Sequence, residues 1–491
     1  MKRKILFLML TSLLYVASSC SKFLDIEPVS SATDENFWKT QADANDATAS
    51  IYALLRKALN QASGTAFYAY GDLLTDEFTS SSDQDFAPII NMQLNTPVPA
   101  GESFRPMYPL RRYDIFYQVI DQANRVIQKL PEMDESLFDD LSVRDYYIGE
   151  AYFMRAFAYF YMARVWGTVP IITESVAPIN AVNLAVSRES DVLDQSQADL
   201  TKALTLLKWE NIDKNDFAVR GSMGAALALQ AHLSAWRGEY PDCIQAAESV
   251  LESGLYSFVG RDSIGYRSIY QGKSNEGIFE ISQNGVNEGS RNGIGYYTLA
   301  GPYYRILTDP FFRISQDYIK NLFKDTKDKR FKSVFDVEYN SNYALCTKYA
   351  NVRYSSTTSN ANAVFKNNMV IFRYSDIKLL LAEAMAAIGN NGAAETILNE
   401  IRTQAGLSAY DKEEPLIQAI FNERARELFL EGHRYYDLVR LYKHFGVFKF
   451  PEGKMNQSQF NAKKYFWPFD QSLLDANPML NQTPFWGMVN M

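Results

Sequence analysis

The sequence predicts a mainly α-helical protein, in which tetratricopeptide-like helical hairpins form the body and an irregular, loop-rich region carries short strands. Three observations predict this fold class. Several long segments repeat apolar residues at the spacing of an amphipathic helix, and two segments resemble each other at the positions where paired helices cross. Gly and Pro residues, which interrupt helices, are concentrated in two other long segments.

Four segments show helical periodicity outside the repeated pair. They are residues 43–59, 112–130, 150–166 and 193–207. In each of them apolar residues recur three or four positions apart, so that they share one face of a helix. The segment 150–166 is rich in aromatic residues, and Gly167 and Pro170 are expected to end it.

Residues 231–254 and 382–406 resemble each other. The aligned positions are Ala231 with Ala382, Gly238 with Gly389, Cys243 with Ala394, and Val250 with Ile401. Small residues are needed where two helices of a hairpin cross closely, so this spacing is typical of a tetratricopeptide-like hairpin. Generic helix pairing is the alternative. The segments 150–166 and 193–207 are a candidate third copy.

Residues 60–111 and 254–301 lack helical periodicity. The first segment is interrupted by prolines and the second by glycines, and within the second we expect a short strand at 277–282. Long irregular segments on a helical scaffold are the expected place for a binding site.

The N-terminus has the pattern of a secretory leader. Three basic residues precede a mostly apolar stretch that ends in small residues and Cys20. Bacterial lipoproteins acylate a cysteine at this point, so we expect cleavage before Cys20 and a lipid anchor on it. An ordinary leader with an incidental cysteine is the alternative, because Ala17 stands where lipoproteins usually have Leu.

These boundaries predict four regions. The leader occupies residues 1–19, and a lipid-anchored tether interrupted by Pro28 occupies residues 20–40. The helical body follows as residues 41–270 and 271–491, which we expect to form one compact unit.

Composition excludes several classes of function. The 491 residues include 49 Lys and Arg against 57 Asp and Glu, a net charge of −8, whereas nucleic-acid binding needs a basic surplus. Three Cys and three His leave no Cys-rich metal site and few routes to a zinc enzyme. Phosphate-binding, dinucleotide-binding and serine-hydrolase motifs are missing or incomplete, so we expect no cofactor and no metal.

Five segments, in this order, resemble the SusD/RagB family of outer-membrane nutrient-binding lipoproteins. They are Cys20 with the following SKFLDIEP, EAYFMRAFAYFYMARVWGTVPII from Glu150, SDIKLLLAEA from Ser375, FNERARELFLEGHRYYDLVR after Ile420, and YFWPFDQSLLDANPMLNQ from Tyr465. The segments are spread from Cys20 to near the C-terminus, so the resemblance extends over nearly the whole chain. The resemblance implies a mostly helical body with four tetratricopeptide-like hairpins and a looped binding region.

The resemblance also implies a function. Members of this family are lipid-anchored at the cell surface, cap a TonB-dependent (SusC-like) transporter and present captured ligand to it. Most bind glycans, the RagB branch is associated with peptides, and none is known as an enzyme. We therefore expect a non-catalytic, cell-surface lipoprotein that binds oligo- or polysaccharide. A peptide binder, a surface glycoside hydrolase and a helical scaffold without a small ligand are the alternatives.

The tyrosine pairs of the glycine-rich segment are the first candidates for ligand contacts. They and their polar neighbours are Tyr296, Tyr297, Tyr303, Tyr304, Arg291, Asn292 and Arg305. A tyrosine offers a rigid apolar face to a sugar ring and a polar tip to its hydroxyls. Packing of these rings beneath the glycine-rich loop is the alternative.

The first irregular segment adds weaker candidates for ligand contacts. They are Asp76, Glu77, Asp85, Phe86 and Tyr108. The carboxylates could bond sugar hydroxyls, hold calcium or belong to a solvated loop, and a glycosidase pair would need a defined separation that sequence does not supply. The family's starch binder stacks tryptophans in this region, whereas this chain has no Trp between Trp38 and Trp166.

The charged run from Glu423 to Arg440 has two interpretations. Its charges recur three positions apart on a predicted helix, so they can pair and hold the helix to the fold. A catalytic role for Glu423, Glu427 and His433 is the alternative. Cys243 is expected to be a buried packing residue, and a disulfide bond between it and Cys346 stays open.

Overall fold

The computed structural model describes residues 37–175, 183–283, 293–340, 342–354 and 363–489. The predicted leader, Cys20 and most of the predicted tether lie outside these ranges, as do Arg291 and Asn292. The described residues form a mainly α-helical body with small antiparallel sheets, which confirms the predicted fold class.

The elements follow one another in this order along the chain. The longer helices are α1 (Gln41–Leu59), α2 (Asp114–Lys129), α3 (Leu141–Trp166), α4 (Glu189–Leu206), α5 (Met223–Arg237), α6 (Tyr240–Glu252), α7 (Ser263–Gln271), α8 (Tyr374–Ala387), α9 (Asn391–Gln404), α10 (Leu416–Glu427) and α11 (Arg434–Phe445). Shorter α-helices are Gln61–Gly64, Ala66–Gly71, Ala87–Ile90, Met107–Leu110, Ile294–Thr298, Gln316–Leu322, Lys329–Val334, Gln457–Asn461, Gln471–Ala476 and Pro484–Met488. Short 3₁₀ helices are Leu130–Glu132, Glu135–Leu137, Lys214–Asp216 and Thr347–Tyr349. The strands are β1 (Phe78–Ser81), β2 (Gly277–Ile281), β3 (Phe312–Ser315), β4 (Phe335–Asp336), β5 (Tyr343–Cys346), β6 (Val352–Tyr354), β7 (Ala363–Phe365) and β8 (Met369–Arg373).

Packed helix pairs build the body. Helix α1 packs on α2, α3 on α4, α5 on α6 and α8 on α9, and contacts of α2 with α3, α4 with α5 and α6 with α8 join the pairs. The two segments that resemble each other in sequence are the pairs α5–α6 and α8–α9. Gly238 and Gly389 both adopt the left-handed backbone at the turns, with φ of 81° and 84°. Cys243 and Ala394 are both buried at the crossings, which confirms the two predicted hairpins.

The candidate third pair is also present, but its first helix is longer than predicted. Helix α3 begins at Leu141 because Asp140 caps it, accepting a hydrogen bond from the Ser142 backbone N–H at 2.8 Å. Almost every side chain from Tyr146 to Trp166 is buried, so this aromatic helix is the centre of the core.

The strands form small antiparallel sheets beside the helical body. The larger sheet has the order β1-β3-β5-β4, with Phe78 opposite Ile314 and Ile314 opposite Ala344. Strand β2 pairs with β8, which confirms the short strand expected at 277–282, and β6 pairs with β7. The larger sheet and the β6–β7 hairpin carry the loops of the candidate site.

The charged run folds inward and forms a buried ion network. Glu427 accepts hydrogen bonds from three guanidinium groups, those of Arg261 at 2.8 Å, Arg330 at 2.8 Å and Arg373 at 2.9 Å. These partners come from distant parts of the chain and not from Arg424, the neighbour three positions away that the sequence suggested. The run therefore locks its helices to the fold, which confirms the structural interpretation over the catalytic one.

The two described cysteines do not form a disulfide bond. Cys243 and Cys346 are both buried free thiols. Burial raises the pKa of Cys346 to about 12, so its thiol stays protonated and unreactive.

Candidate functional site

One tyrosine of each predicted pair is buried beneath the loops. The ring of Tyr297 stacks on Phe312 at a centroid distance of 4.6 Å and contacts Phe86 at 5.0 Å. The ring of Tyr304 is also buried and lies 5.3 Å from Phe365. Both rings therefore belong to the packing beneath the glycine-rich loop, the alternative considered for them, and they offer no open face to a ligand.

The other tyrosine of each pair reaches the surface together with Tyr354 of β6. Tyr296 and Tyr303 are half-buried, and Tyr296 stacks on Phe311 at 5.4 Å. The exposed Arg305 places its guanidinium 3.9 Å from the ring centroid of Tyr354, whose hydroxyl accepts a hydrogen bond from the Arg305 backbone N–H at 3.0 Å. Tyr296, Tyr303, Tyr354 and Arg305 are called the tyrosine surface below.

Phe86 is buried and does not reach a surface. Its ring packs between Tyr297 and Phe312, at 5.0 and 4.9 Å, because strand β3 brings Phe312 under the first irregular segment. The expectation that Phe86 contacts a ligand is therefore wrong. Its contact with Tyr297 instead joins the two irregular segments into one packed cluster.

Phe104 is the exposed ring of the first irregular segment, and sequence reasoning missed it. Its side chain is 74% exposed. The next residue, Arg105, forms an ion pair with Asp85, which directly precedes Phe86. Phe104 therefore lies on a loop held against the cluster that supports the tyrosine surface. A single aromatic residue in the polar segment GESFRP was the signal that could have identified it.

Tyr108 lies at a different place from the tyrosine surface. Its hydroxyl accepts a hydrogen bond from Arg112 Nη1 at 3.2 Å, and the Arg112 guanidinium lies 5.2 Å from its ring centroid. The half-buried ring lines a cavity of about 450 Å³ below the loop that carries Phe104.

Asp76 and Glu77 are directed into the protein. Arg434 donates two hydrogen bonds to Asp76, at 2.9 and 2.7 Å, so this carboxylate is already paired. Glu77 is 0% exposed, and burial, together with the neighbouring Asp72, raises its pKa well above the usual range. Glu77 is therefore an internal group whose charged form is disfavoured by burial, and the expectation that it bonds a surface ligand is wrong.

Three potential metal ligands meet in the core among the described residues. They are His232, Asp376 and His433, whose ligand atoms all lie within 4.8 Å of one another. His232 Nε2 and Asp376 Oδ2 share a hydrogen bond of 2.7 Å, and Arg424 donates to the other carboxylate oxygen at 2.9 Å. Because protein groups already satisfy Asp376, this cluster has the character of a structural hydrogen-bond network.

The histidine cluster makes stability depend on pH. Burial lowers the pKa of His433 from 6.5 to about 4, so the unfolded chain binds a proton that the folded chain does not. We expect the free energy of unfolding to fall by about 2–3 kcal/mol through this group as the pH decreases from 7 to 4.5. Urea titrations across this range should show a smaller decrease for His433→Gln. An unchanged pH dependence in that variant would contradict the assignment.

A search of the described residues for membrane-spanning segments finds none, because no helix among them is both long and apolar enough to cross a bilayer.

Sequence models of known protein families match both halves of the chain. Residues 318–486 match the model of the SusD family, and residues 22–234 match a model described as starch-binding associating with outer membrane.

Individual relatives are similar to this chain over nearly its full length. The SusD-like protein P38 of Formosa agariphila is 30% identical, over 97% of this chain and 98% of that protein. The crystal structure of a SusD homolog from Bacteroides thetaiotaomicron superimposes with a TM-score of 0.79 at 27% identity, over 92% of this chain and all of that one. A solved laminarin-binding SusD-like protein shares the fold, with a TM-score of 0.73 at 20% identity, over 91% of this chain and 100% of that one. The chain therefore belongs to the SusD family.

Proposed function

We propose that this protein is a non-catalytic, glycan-binding lipoprotein of the outer membrane, which captures oligo- or polysaccharide and delivers it to a partner TonB-dependent transporter. Membership of the SusD family supports the proposal, as does the outer-membrane association in the description of the matching family model. The predicted anchor is Cys20, the first residue after the leader.

The observation that carries the proposal is the pairing of exposed rings with polar groups on two adjoining loops. Phe104 offers an open apolar face to the C–H side of a sugar ring. The hydroxyl groups of Tyr296 and Tyr303 and the guanidinium of Arg305 lie on the neighbouring tyrosine surface, where they can bond sugar hydroxyls. Arg291 and Asn292 precede this surface in sequence and stay predicted members of the site.

The charged groups at the candidate site support binding of a glycan without catalysis. Glycoside hydrolysis needs two carboxyl groups placed about 5–10 Å apart across the scissile bond. At the described site the carboxylates of Asp85 and Glu102 are both paired with Arg105, and Asp336 interacts with Tyr303. Carboxylates that are already paired can orient a sugar through hydrogen bonds, which supports binding without catalysis.

Affinity electrophoresis of the full chain tests the proposal. Native gels containing laminarin, amylopectin, galactomannan, arabinoxylan or polygalacturonate should retard the protein in at least one case. Laminarin is included because a structural relative is described as laminarin-binding. No retardation by any of these glycans, together with measurable binding of peptides, would support the peptide alternative instead.

Replacing Phe104 by Ala should weaken glycan binding at least about tenfold, because the main open ring is lost. Phe104→Trp should retain binding, since it keeps an aromatic face. Ile388→Ala is the matched control, because Ile388 is 52% exposed directly after helix α8, outside both irregular segments, and its loss should leave binding unchanged. Equal retardation of Phe104→Ala and wild type would remove Phe104 from the site.

A further inference from the structure

A cavity of about 450 Å³ opens below the loop that carries Phe104, between this loop and the helix Gln471–Ala476 near the C-terminus. Its volume lies in the range of about 300–1,000 Å³ that is usual for small-molecule sites. Ser103 lines the cavity and Phe104 is the next residue, so the exposed ring and the cavity belong to the same stretch of loop. It is called the loop cavity below.

The rim of the loop cavity is apolar and rigid. Pro97, Val98, Pro99 and Ala100 form one side, and the ring of Tyr108 forms another. Proline fixes the backbone φ angle, and a turn closed by the Glu102 N–H donating to the Pro99 carbonyl at 3.1 Å holds the loop in shape. The rim is therefore formed before a ligand arrives, which reduces the entropy lost on binding.

The floor of the loop cavity is a nearly buried ion pair. Arg111 Nη2 lies 3.2 Å from Asp470 Oδ2, and the two side chains are only 6% and 9% exposed. Arg111 Nη1 donates to the carbonyls of Leu94 at 3.4 Å and Thr96 at 3.2 Å. Arg111 Nε is buried and has no hydrogen-bond partner among the described residues. Because protein atoms enclose Nε, a ligand in the cavity would meet the slightly exposed remainder of the Arg111 and Asp470 side chains.

We propose that the loop cavity is a second sugar subsite, which holds a neutral sugar unit next to the unit that Phe104 contacts. Sugar hydroxyls would bond the exposed part of the Arg111–Asp470 pair and the Gln471 amide, while the C–H face of the sugar would lie against the proline rim and Tyr108. This inference rests on the proposed function, because the occupant is part of the same glycan.

The balanced charges at the floor of the loop cavity favour a neutral sugar unit. Asp470 already balances Arg111, so a uronic acid would bring an additional carboxylate into a buried site without a counter-charge. Gln471, which also lines the cavity, offers an uncharged amide at the exposed side. We therefore expect the protein to prefer neutral glycans such as laminarin or galactomannan over polygalacturonate.

Calorimetric titration of the full chain with oligosaccharides tests the subsite. The oligosaccharides are fragments of the neutral panel glycan that retards the wild type most. Ala100→Trp fills the mouth of the cavity from an exposed position, and Gln471→Ala removes a polar contact without touching the buried pair. Both variants should lose about tenfold in affinity for long oligosaccharides and keep the affinity for the shortest one that binds. Ala53→Trp, at an exposed position of helix α1, is the control for an added indole and should behave as wild type.

The possible outcomes separate the subsite from the proposed function. Wild-type affinity for long oligosaccharides in Ala100→Trp would overturn the subsite while glycan binding stands. Retardation of the wild type by polygalacturonate alone would overturn the preference for a neutral sugar. If no panel glycan retards the wild type, the proposed function fails and the subsite fails with it.

Discussion

Arg373→Met is expected to lower the free energy of unfolding by about 3–5 kcal/mol, because three buried carboxylates each lose one of their cationic partners. All five N–H donors of Arg373 are used. Two donate to the Glu431 carboxylate at 2.7 and 2.9 Å, and one donates to the Glu276 carboxylate at 2.8 Å. The other two donate to Glu427, one to its carboxylate at 2.9 Å and one to its backbone carbonyl at 2.8 Å. Met occupies part of the volume but supplies neither charge nor donors. Urea denaturation of wild type and variant at pH 7 measures the difference.

The pH dependence of this variant provides a second readout. Burial alone would raise the pKa of Glu431, but the charges of Arg373 and Lys348 lower this pKa to about 2 in the folded protein. The wild type therefore loses this contribution as the pH falls below 4.5, whereas the variant, in which Lys348 is the remaining cationic partner of Glu431, has less of it to lose. The difference in stability between the two proteins should narrow at acidic pH.

Arg188→Met is the matched control for Arg373→Met. Arg188 pairs with Asp191 at the surface, where the two side chains are 83% and 37% exposed. An exposed pair of this kind contributes less than about 1 kcal/mol. Equal losses of unfolding free energy in the two variants would contradict the claim that the ion network stabilises the protein because it is buried.

Gly71→Ala should destabilise the protein severely, by about 3 kcal/mol or more, or prevent folding. A Cβ atom at Gly71 would lie 2.3 Å from the carbonyl oxygen of Gly432 and 2.4 Å from its Cα. Gly432 cannot move away easily, because its N–H donates to Asp72 at 2.8 Å and its φ is 77°. The close approach joins the first irregular segment to the loop before helix α11.

Gly392→Ala tests whether this effect comes from the close approach or from the loss of any glycine. Gly392 lies in the first turn of helix α9, and a Cβ atom there would meet nothing within 4 Å. Alanine should therefore be neutral or stabilise the helix by up to about 1 kcal/mol. Thermal unfolding of both variants gives the comparison, and a mild effect of Gly71→Ala would contradict the packing of the two backbones.

The helical hairpins could be predicted from sequence because their determinants are local. The small residues at the crossings of α5 with α6 and α8 with α9, and the glycines that end their first helices, lie at fixed spacings along the chain. The ion network could not be predicted in the same way. Glu276, Arg330 and Arg373 come together only after folding, and sequence spacing suggested pairs along a single helix instead.

The candidate site was located by sequence at the level of the loops but not of the side chains. Tyr296 and Tyr297 are neighbours with the same chemistry, and only the position of Phe312 on β3 decides that Tyr297 is buried. The same strand buries Phe86, while the ion pair of Arg105 with Asp85 holds the loop that exposes Phe104. Irregular segments have no periodicity from which an inward or outward direction could be predicted.

The central claim is that the protein binds a glycan and leaves it intact. The most direct measurement incubates the full chain with the panel polysaccharide that retards it most and follows both binding and the appearance of new reducing ends. We expect retarded migration that Phe104→Ala weakens, and no increase in reducing ends over time. New reducing ends that depend on the protein would contradict the claim, and so would the failure of every panel glycan to retard the wild type.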